Sequence, residues 1–128
     1  MRVVFTAHSS KNSHLSMQIC KFVFENGHIP VNLFNLYGYF MFDLIDKQKI
    51  FLANNELIKR SDELWVFGEI TEGVFIEIEL TKKLGKPIKY FDIITNSPFQ
   101  VKEIKEDEVK INDNLNILEL KKYVKKIF

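Results

Sequence analysis

Several features that would point to a particular class of protein are scarce in this chain of 128 residues. Cys20 is the sole cysteine, which excludes an intramolecular disulfide and a zinc site built on paired cysteines. The net charge of +1 provides no electrostatic footprint for nucleic acid. No apolar run approaches the roughly 20 residues that a membrane-spanning helix needs. We therefore expect neither a nucleic-acid partner nor a membrane partner.

Metal and export signals are also scarce. His14 and His28 have no partner at metal-ligand spacing, so we predict no metal site and no other cofactor. The first residues lack the charged and apolar regions of a signal peptide, and we expect a cytoplasmic protein. Apolar residues are plentiful, at 46% of the chain with 27% charged, which is typical of a soluble globular protein. The twelve phenylalanines predict a core rich in aromatic side chains.

Short apolar runs alternate with helical periodicity along the chain. Strands are predicted at residues 2–7, 29–33, 63–67 and 87–93, with a further strand at 108–111. Helices are predicted at residues 15–26, 47–60 and 74–84, with a cover helix starting at about residue 114. Near-continuous apolar strands that alternate with helices favour a mainly parallel sheet covered on both faces. The expected fold is thus α/β: a Rossmann- or flavodoxin-like three-layer sandwich of four to five strands, forming one domain over residues 1–128.

One carboxylate lies on the apolar side of the third predicted helix. On a helical wheel, Glu77 falls beside Thr81 and Leu84, whereas Glu79 lies on the solvated side. A buried, unpaired carboxylate is costly, so it tends to occupy a polar pocket or to reach out of the first turn. Ligands of such folds bind beyond the carboxyl ends of the strands, where this helix begins. Two interpretations stay open: an active-site carboxylate, or a charge stabilised by the helix N-terminus.

The loop after the first predicted strand is polar and leads directly into a helix. The hydroxyls of Ser9 and Ser10, with Asn12 and Ser13 behind them, suit a cradle for an anion or for sugar hydroxyls. An ordinary helix N-cap needs only one of these groups. His8, at the end of the strand, is a candidate for orienting a base or a phosphate, with a purely structural role as the alternative.

An aromatic segment follows the second predicted strand without a clean periodicity. Tyr37 is a candidate ligand-binding residue there, and it stands close to Tyr39, Phe40 and Phe42. These rings suit a wall on which a nucleobase stacks. They also suit an apolar patch that closes a homodimer, since exposed aromatic patches commonly mark interfaces.

Three short motifs carry a family resemblance. SDELWVFG at residues 61–68, EGVFIE at 72–77 and GKPI at 85–88 resemble the nucleoside 2-deoxyribosyltransferase-like superfamily, and above all its small uncharacterised members. The resemblance extends from residue 1 to about residue 92 and is strongest from 53 to 88. It implies cleavage of the N-glycosidic bond of a nucleoside or nucleotide. It also implies a homodimer or higher homo-oligomer, in which a neighbouring subunit completes the active site.

The resemblance assigns roles to individual residues. Glu77, four residues after Gly73 and four before Thr81, matches the family's nucleophile, and Gly73 matches a family glycine. Thr71 stands where phosphate-binding relatives carry a hydroxyl, which implies contact with a 5′-phosphate; the alternative is a simple loop residue. Asn54 is the second candidate catalytic residue, because it stands where family enzymes usually carry an aspartate.

Asn54 is also a departure from the family pattern. An amide donates and accepts hydrogen bonds but cannot act as an acid or a base. The neighbouring Glu56 would enter the site after a small shift, whereas Asp62, just before a strand, is typical of a structural cap. Two functions therefore stay open: an N-glycosidase or deoxyribosyltransferase-like enzyme, and a non-catalytic module that senses a nucleotide.

Overall fold

A five-stranded sheet forms the centre of the protein in the computed structural model, which describes residues 1–38 and 41–128, without the side chain of Phe42. The strand order is β2-β1-β3-β4-β5, with the first four strands parallel and β5 antiparallel to β4. The strands are β1 (Val3–His8), β2 (Ile29–Val31), β3 (Glu63–Phe67), β4 (Ile88–Asn96) and β5 (Phe99–Ile104). The helices are α1 (Ser16–Glu25), α2 (Leu33–Tyr37), α3 (Met41–Leu44), α4 (Lys47–Arg60), α5 (Glu72–Lys83) and α6 (Ile117–Ile127). The expected flavodoxin-like α/β architecture is confirmed.

Both faces of the sheet are covered, which explains why its central strands are mostly apolar, without the alternation of a half-exposed strand. In β3, Leu64 and Val66 pack into one core with α4 and α5, and α6 packs against that core. Trp65 and Phe67, on the opposite face, pack with α1 in a second core. A strand buried on both sides loses the polar alternation of a half-exposed strand. Among the described residues, no helix combines the length and the apolar character needed to cross a bilayer.

The sequence predictions fail mainly after β4. Residues 108–111 do not form the expected strand: a 3₁₀ turn occupies Glu106–Glu108, and Ile111 makes an isolated bridge to Ile70. The strand that completes the sheet is β5, which the sequence prediction missed because charged residues obscure its alternation. Asn96-Ser97-Pro98, a run of turn-forming residues between two β-rich runs, was the usable signal for this hairpin. The last helix begins at Ile117, three residues later than expected.

The chain changes direction within the sheet between β1 and β3. From β1 it passes to β2 on one side, and it returns by α4 to β3 on the other side. The loops after β1 and β3 therefore diverge and leave a crevice at the carboxyl ends of the two strands. Gly68 follows β3 with φ of 82°, and a Cβ atom there would lie 3.1 Å from Nδ2 of Asn12. Glycine is thus favoured at the strand ends, where the two loops are still in contact before they diverge.

The C-terminal end of α4, a helix that faces this crevice, is held by Lys86. The Lys86 ammonium donates to the carbonyl oxygens of Ile58, Lys59 and Ser61, at 3.0, 2.6 and 2.6 Å. These carbonyls belong to the last turn of α4 and to its C-cap, where helical partners are missing. A cation there also complements the helix dipole. Lys86 precedes β4, so the contact fixes α4 against the sheet.

Candidate active site

A cavity of about 680 Å³ occupies the crevice. Its walls come from the end of β1 and the loop that follows, from one face of α4, and from the first turns of α5. Lining side chains of interest are Thr6, His8, Ser10, Phe34, Lys47, Phe51, Asn54, Asn55, Thr71, Glu72, Gly73, Glu77 and Tyr123. Its volume lies within the range of small-molecule sites, and its mixed apolar and polar walls are typical of them.

Glu77 and Asn54 meet across this cavity. Nδ2 of Asn54 donates to Oε2 of Glu77 at 2.7 Å, a short bond of the charge-assisted kind. The other carboxylate oxygen, Oε1, accepts no hydrogen bond within residues 1–38 and 41–128. Asn54 is 8% exposed, and its own Oδ1 is buried without a partner in the described part of the chain. The amide therefore holds one carboxylate oxygen and leaves the other free towards the cavity.

Burial makes the carboxyl group of Glu77 a weaker acid than usual. The apolar surroundings raise its pKa from 4.5 to about 7, although the hydrogen bond from Asn54 favours the charged form. A pKa near 7 is unusual for a carboxyl group and is typical of functional sites. At neutral pH, Glu77 is therefore present in both protonation states.

His8 is fixed by its neighbours as a neutral ring. Its Nδ1 lies 3.0 Å from the carbonyl oxygen of Ser9, which can only accept, so Nδ1 carries the proton. Nε2 therefore accepts from Nδ2 of Asn32, also at 3.0 Å, and that amide donates to the Thr6 hydroxyl as well. Burial lowers the His8 pKa, which agrees with a neutral ring. The centroids of the His8 and Phe34 rings are 4.9 Å apart. His8 lines the cavity, but both of its ring nitrogens are already engaged.

The structure brings most of the expected site residues together. Glu77, Asn54, His8, Ser10, Thr71 and Gly73 all line the one cavity. Ser9 does not line it: the side chain is buried, and its hydroxyl accepts from the Lys11 N–H at 3.2 Å as the cap of a 3₁₀ turn. Tyr37, at the end of α2, also lies away from the described lining. The expected roles of Tyr39, Phe40 and the Phe42 side chain fall outside the described residues.

Glu56 lies outside the site, and Asp62 has a structural role of the kind that the sequence indicated. Glu56 is on the solvent side of α4, where it pairs with Lys59 at 3.3 Å and Arg60 at 3.9 Å. Asp62 accepts from the backbone N–H of Val3 at 2.8 Å and so ties the start of β1 to that of β3. Among the described residues, no group of three or more His, Cys, Asp or Glu side chains is arranged to hold a metal ion.

Sequence reasoning missed several lining residues. Asn55 follows Asn54 on α4; it is 6% exposed and its Oδ1 has no partner in the described chain. Phe34, Phe51 and Tyr123 add aromatic surface. Tyr123 comes from α6, and no signal in the sequence links that helix to the crevice. The two adjacent asparagines in a helix were a usable signal, since helix interiors disfavour them.

The sequence of the chain matches one family model over most of its length. A family model described as "Domain of unknown function (DUF7768)" matches residues 3–91. The chain belongs to the DUF7768 family. The DUF7768 match covers the four parallel strands up to Phe91 and includes Glu77 and Asn54, whereas β5 and α6 lie beyond it. No curated protein matches the chain in sequence.

Among solved structures, the fold is similar to that of a 2-desoxiribosyltransferase from Leishmania mexicana. The TM-score is 0.58 at 11% sequence identity, and the likeness covers 100% of both chains. At this identity the likeness shows the fold alone. It supports the resemblance to the superfamily at the level of the fold, and it extends over β5 and α6, which the DUF7768 match leaves out.

Proposed function

We propose that the protein cleaves the N-glycosidic bond of a nucleoside or nucleotide, with Glu77 as nucleophile. The observation that carries this proposal is the pairing of Glu77 with Asn54 in the wall of a ligand-sized cavity. The cavity also stands at the switch point of the sheet, where ligands of such folds bind. The similarity in fold to a 2-desoxiribosyltransferase makes a nucleoside a suitable ligand to test first.

The chemistry follows that of a retaining glycosidase. A free oxygen of ionised Glu77 attacks the anomeric carbon, the C1′–N bond breaks, and its electron pair leaves with the base. The departing base takes a proton from water. A water molecule then attacks C1′ of the glycosyl ester, loses a proton, and releases the free sugar together with the regenerated carboxylate. If a second nucleobase attacks C1′ in place of this water and loses a proton, the same intermediate gives transfer instead of hydrolysis.

Asn54 fits this scheme as a positioning residue. Its amide donates to one carboxylate oxygen, which fixes the plane of the carboxylate and stabilises its charged form. It cannot supply or remove a proton, so the scheme gives it no proton-transfer step. An aspartate here would place a second negative charge 2.7 Å from Glu77 and would raise the cost of ionising the pair.

The direct test is release of free base from a panel of ribo- and deoxyribonucleosides and their 5′-monophosphates, followed by chromatography. We expect turnover of at least one compound. A panel without turnover contradicts the proposal. If the same compounds still raise the melting temperature, the alternative of a nucleotide-binding module is favoured, and the amide character of Asn54 is the observation that supports it.

The pH dependence distinguishes a nucleophile from a general acid. A nucleophile must be ionised, so kcat/KM should rise with pH, with a midpoint near the Glu77 pKa of about 7, and level off above it. A general acid would give the opposite slope, with activity lost as pH rises through the same value. Initial rates between pH 5.5 and 9, measured well below KM, decide between the two roles.

Removal of the Asn54 amide should move this midpoint. In Asn54→Ala, Glu77 loses the donor that favours its charged form, so its pKa rises further. We expect the midpoint of kcat/KM to shift upward and the activity at pH 7 to fall by roughly tenfold, the size of one hydrogen bond to a charged group. Glu56→Gln, a change on the solvent side of the same helix, is the matched control and should leave the profile unchanged. An Asn54→Ala profile with an unshifted midpoint would contradict this role.

A further inference from the structure

A second cavity adjoins the one that contains Glu77. It has a volume of about 560 Å³, and its walls share Thr71, Glu72 and Tyr123 with the Glu77 cavity. The two cavities are therefore neighbours in one region of the surface, and Tyr123 contributes to both. The rest of the second cavity, here called the asparagine groove, is lined by Asn112, Asn114, Leu115, Asn116, Glu119 and Leu120.

One carboxamide of the groove, that of Asn114, has unused hydrogen-bonding capacity. Asn112 is engaged at both ends: its Oδ1 accepts from the backbone N–H of Asn114, and its Nδ2 donates to Glu69 at 3.3 Å. Oδ1 of Asn116 accepts from the backbone N–H of Glu119. The Asn114 side chain itself makes no hydrogen bond to the described residues. A free carboxamide offers a donor and an acceptor side by side. This pattern matches the polar edge of a nucleobase, as in the pairing of asparagine with adenine.

The charges of the groove exclude a phosphate as its preferred ligand. Glu72 and Glu119 supply two carboxylates, and no Lys, Arg or His belongs to the described lining. A phosphate would therefore meet like charges, whereas a neutral ring would not. Tyr123 is 43% exposed, and its ring provides a flat surface in the same lining as the free carboxamide. Aromatic surface beside a neutral donor and acceptor suits a planar heterocycle.

The geometry of displacement also directs the base away from Glu77. The nucleophile and the leaving group lie on opposite sides of the anomeric carbon, so a sugar held against Glu77 presents its base on the side away from Glu77. The asparagine groove is the neighbouring cavity, and Glu77 does not line it. We propose that the asparagine groove is the nucleobase subsite, in which the base stacks on Tyr123 and its polar edge faces Asn114. This inference rests on the proposed function for the position of the sugar. It gives α6, which lies outside the family match, a part in substrate choice.

The experiment measures binding separately from turnover. Calorimetry with the Glu77→Gln variant and four nucleosides gives dissociation constants without cleavage, and KM is measured in the protein with Glu77 intact. Tyr123→Ala should raise both constants about tenfold, the usual loss for one stacked base, with kcat nearly unchanged. Tyr123→Phe keeps the ring and should stay within twofold. Leu118→Ala removes a 75% exposed apolar side chain from the same helix and should have no effect.

The outcomes separate this inference from the proposed function. Nucleoside binding that depends on Tyr123, without cleavage, supports the groove and contradicts the glycosidase. If the protein cleaves nucleosides and Tyr123→Ala changes KM by less than twofold, the glycosidase is supported and the groove is contradicted as the nucleobase subsite. Loss of affinity in Phe51→Ala but not in Tyr123→Ala would place the base against α4 and overturn the inference. Absence of binding for all four nucleosides would also overturn it.

Discussion

Glu77→Gln is expected to abolish base release, with kcat/KM lowered by roughly 10³-fold or more, because an amide cannot form the glycosyl ester. Glutamine has nearly the same shape and still accepts the hydrogen bond from Asn54, so the cavity should persist. The loss should therefore appear in kcat, while the dissociation constant of the nucleoside changes little. Rates of base release under substrate saturation measure it.

Glu79→Gln is the matched control for this result. Glu79 lies two residues further along α5, outside the described lining of the cavity, and carries the same chemical change. We expect this variant to retain the activity of the unmodified protein. Equal losses in both variants would indicate a general effect on α5 and would remove Glu77 from the role of nucleophile. Retained activity in Glu77→Gln would do so directly.

Glu77→Gln should also stabilise the fold above neutral pH. The Glu77 pKa is raised from 4.5 to about 7 in the folded protein, so the folded state binds a proton that the unfolded state has lost. Folding stability is consequently lost as pH rises from about 4.5 through 7. The cost of the ionised carboxylate reaches about 3 kcal/mol at pH 8.5, since each pKa unit corresponds to about 1.4 kcal/mol. Glutamine removes this cost.

Denaturant unfolding of the two proteins at several pH values tests the effect. The free energy of unfolding of Glu77→Gln should exceed that of the unmodified protein by less than about 1 kcal/mol at pH 5 and by about 3 kcal/mol at pH 8.5. Glu79→Gln should show no such trend. A difference that is constant with pH would mean that Glu77 keeps an ordinary pKa. The expected combination of lost turnover and gained stability is typical of residues kept for function.

The sequence predicted the part of the fold that depends on local patterns. The bounds of β3 were predicted to the residue, because its four apolar or aromatic residues, 64–67, lie between a clear polar boundary and a clear glycine boundary. β5 was missed, since an edge strand exposed on alternate positions carries charges that resemble those of a loop. The turn-forming run before β5 was its one local signal, and the alignment of β5 with β4 depends on contacts between the two strands.

The site was predictable to the extent that topology brings strand ends together. Glu77 was singled out because its charge conflicts with its place on the helix, and the structure puts it in the cavity wall. The hydrogen bond from Asn54 joins residues 23 positions apart on different helices, so the sequence suggested only that both belong to one site. Tyr123 could not be foreseen, because its position depends on how α6 packs across the sheet. Ser9 was expected to bind a ligand, because the sequence does not show which of the neighbouring hydroxyls becomes the cap of the 3₁₀ turn.

The two borders of the sheet limit how copies of this chain can associate. β2 is three residues long and contains Pro30, which has no N–H to offer a further strand. β5, at the other border, exposes the charged side chains of Lys102 and Glu103, which an added strand would partly remove from water. Continuation of the sheet from one copy into the next is therefore disfavoured at both ends. Any homo-oligomer should form through helical surfaces, and growth into fibrils by strand addition should be slow.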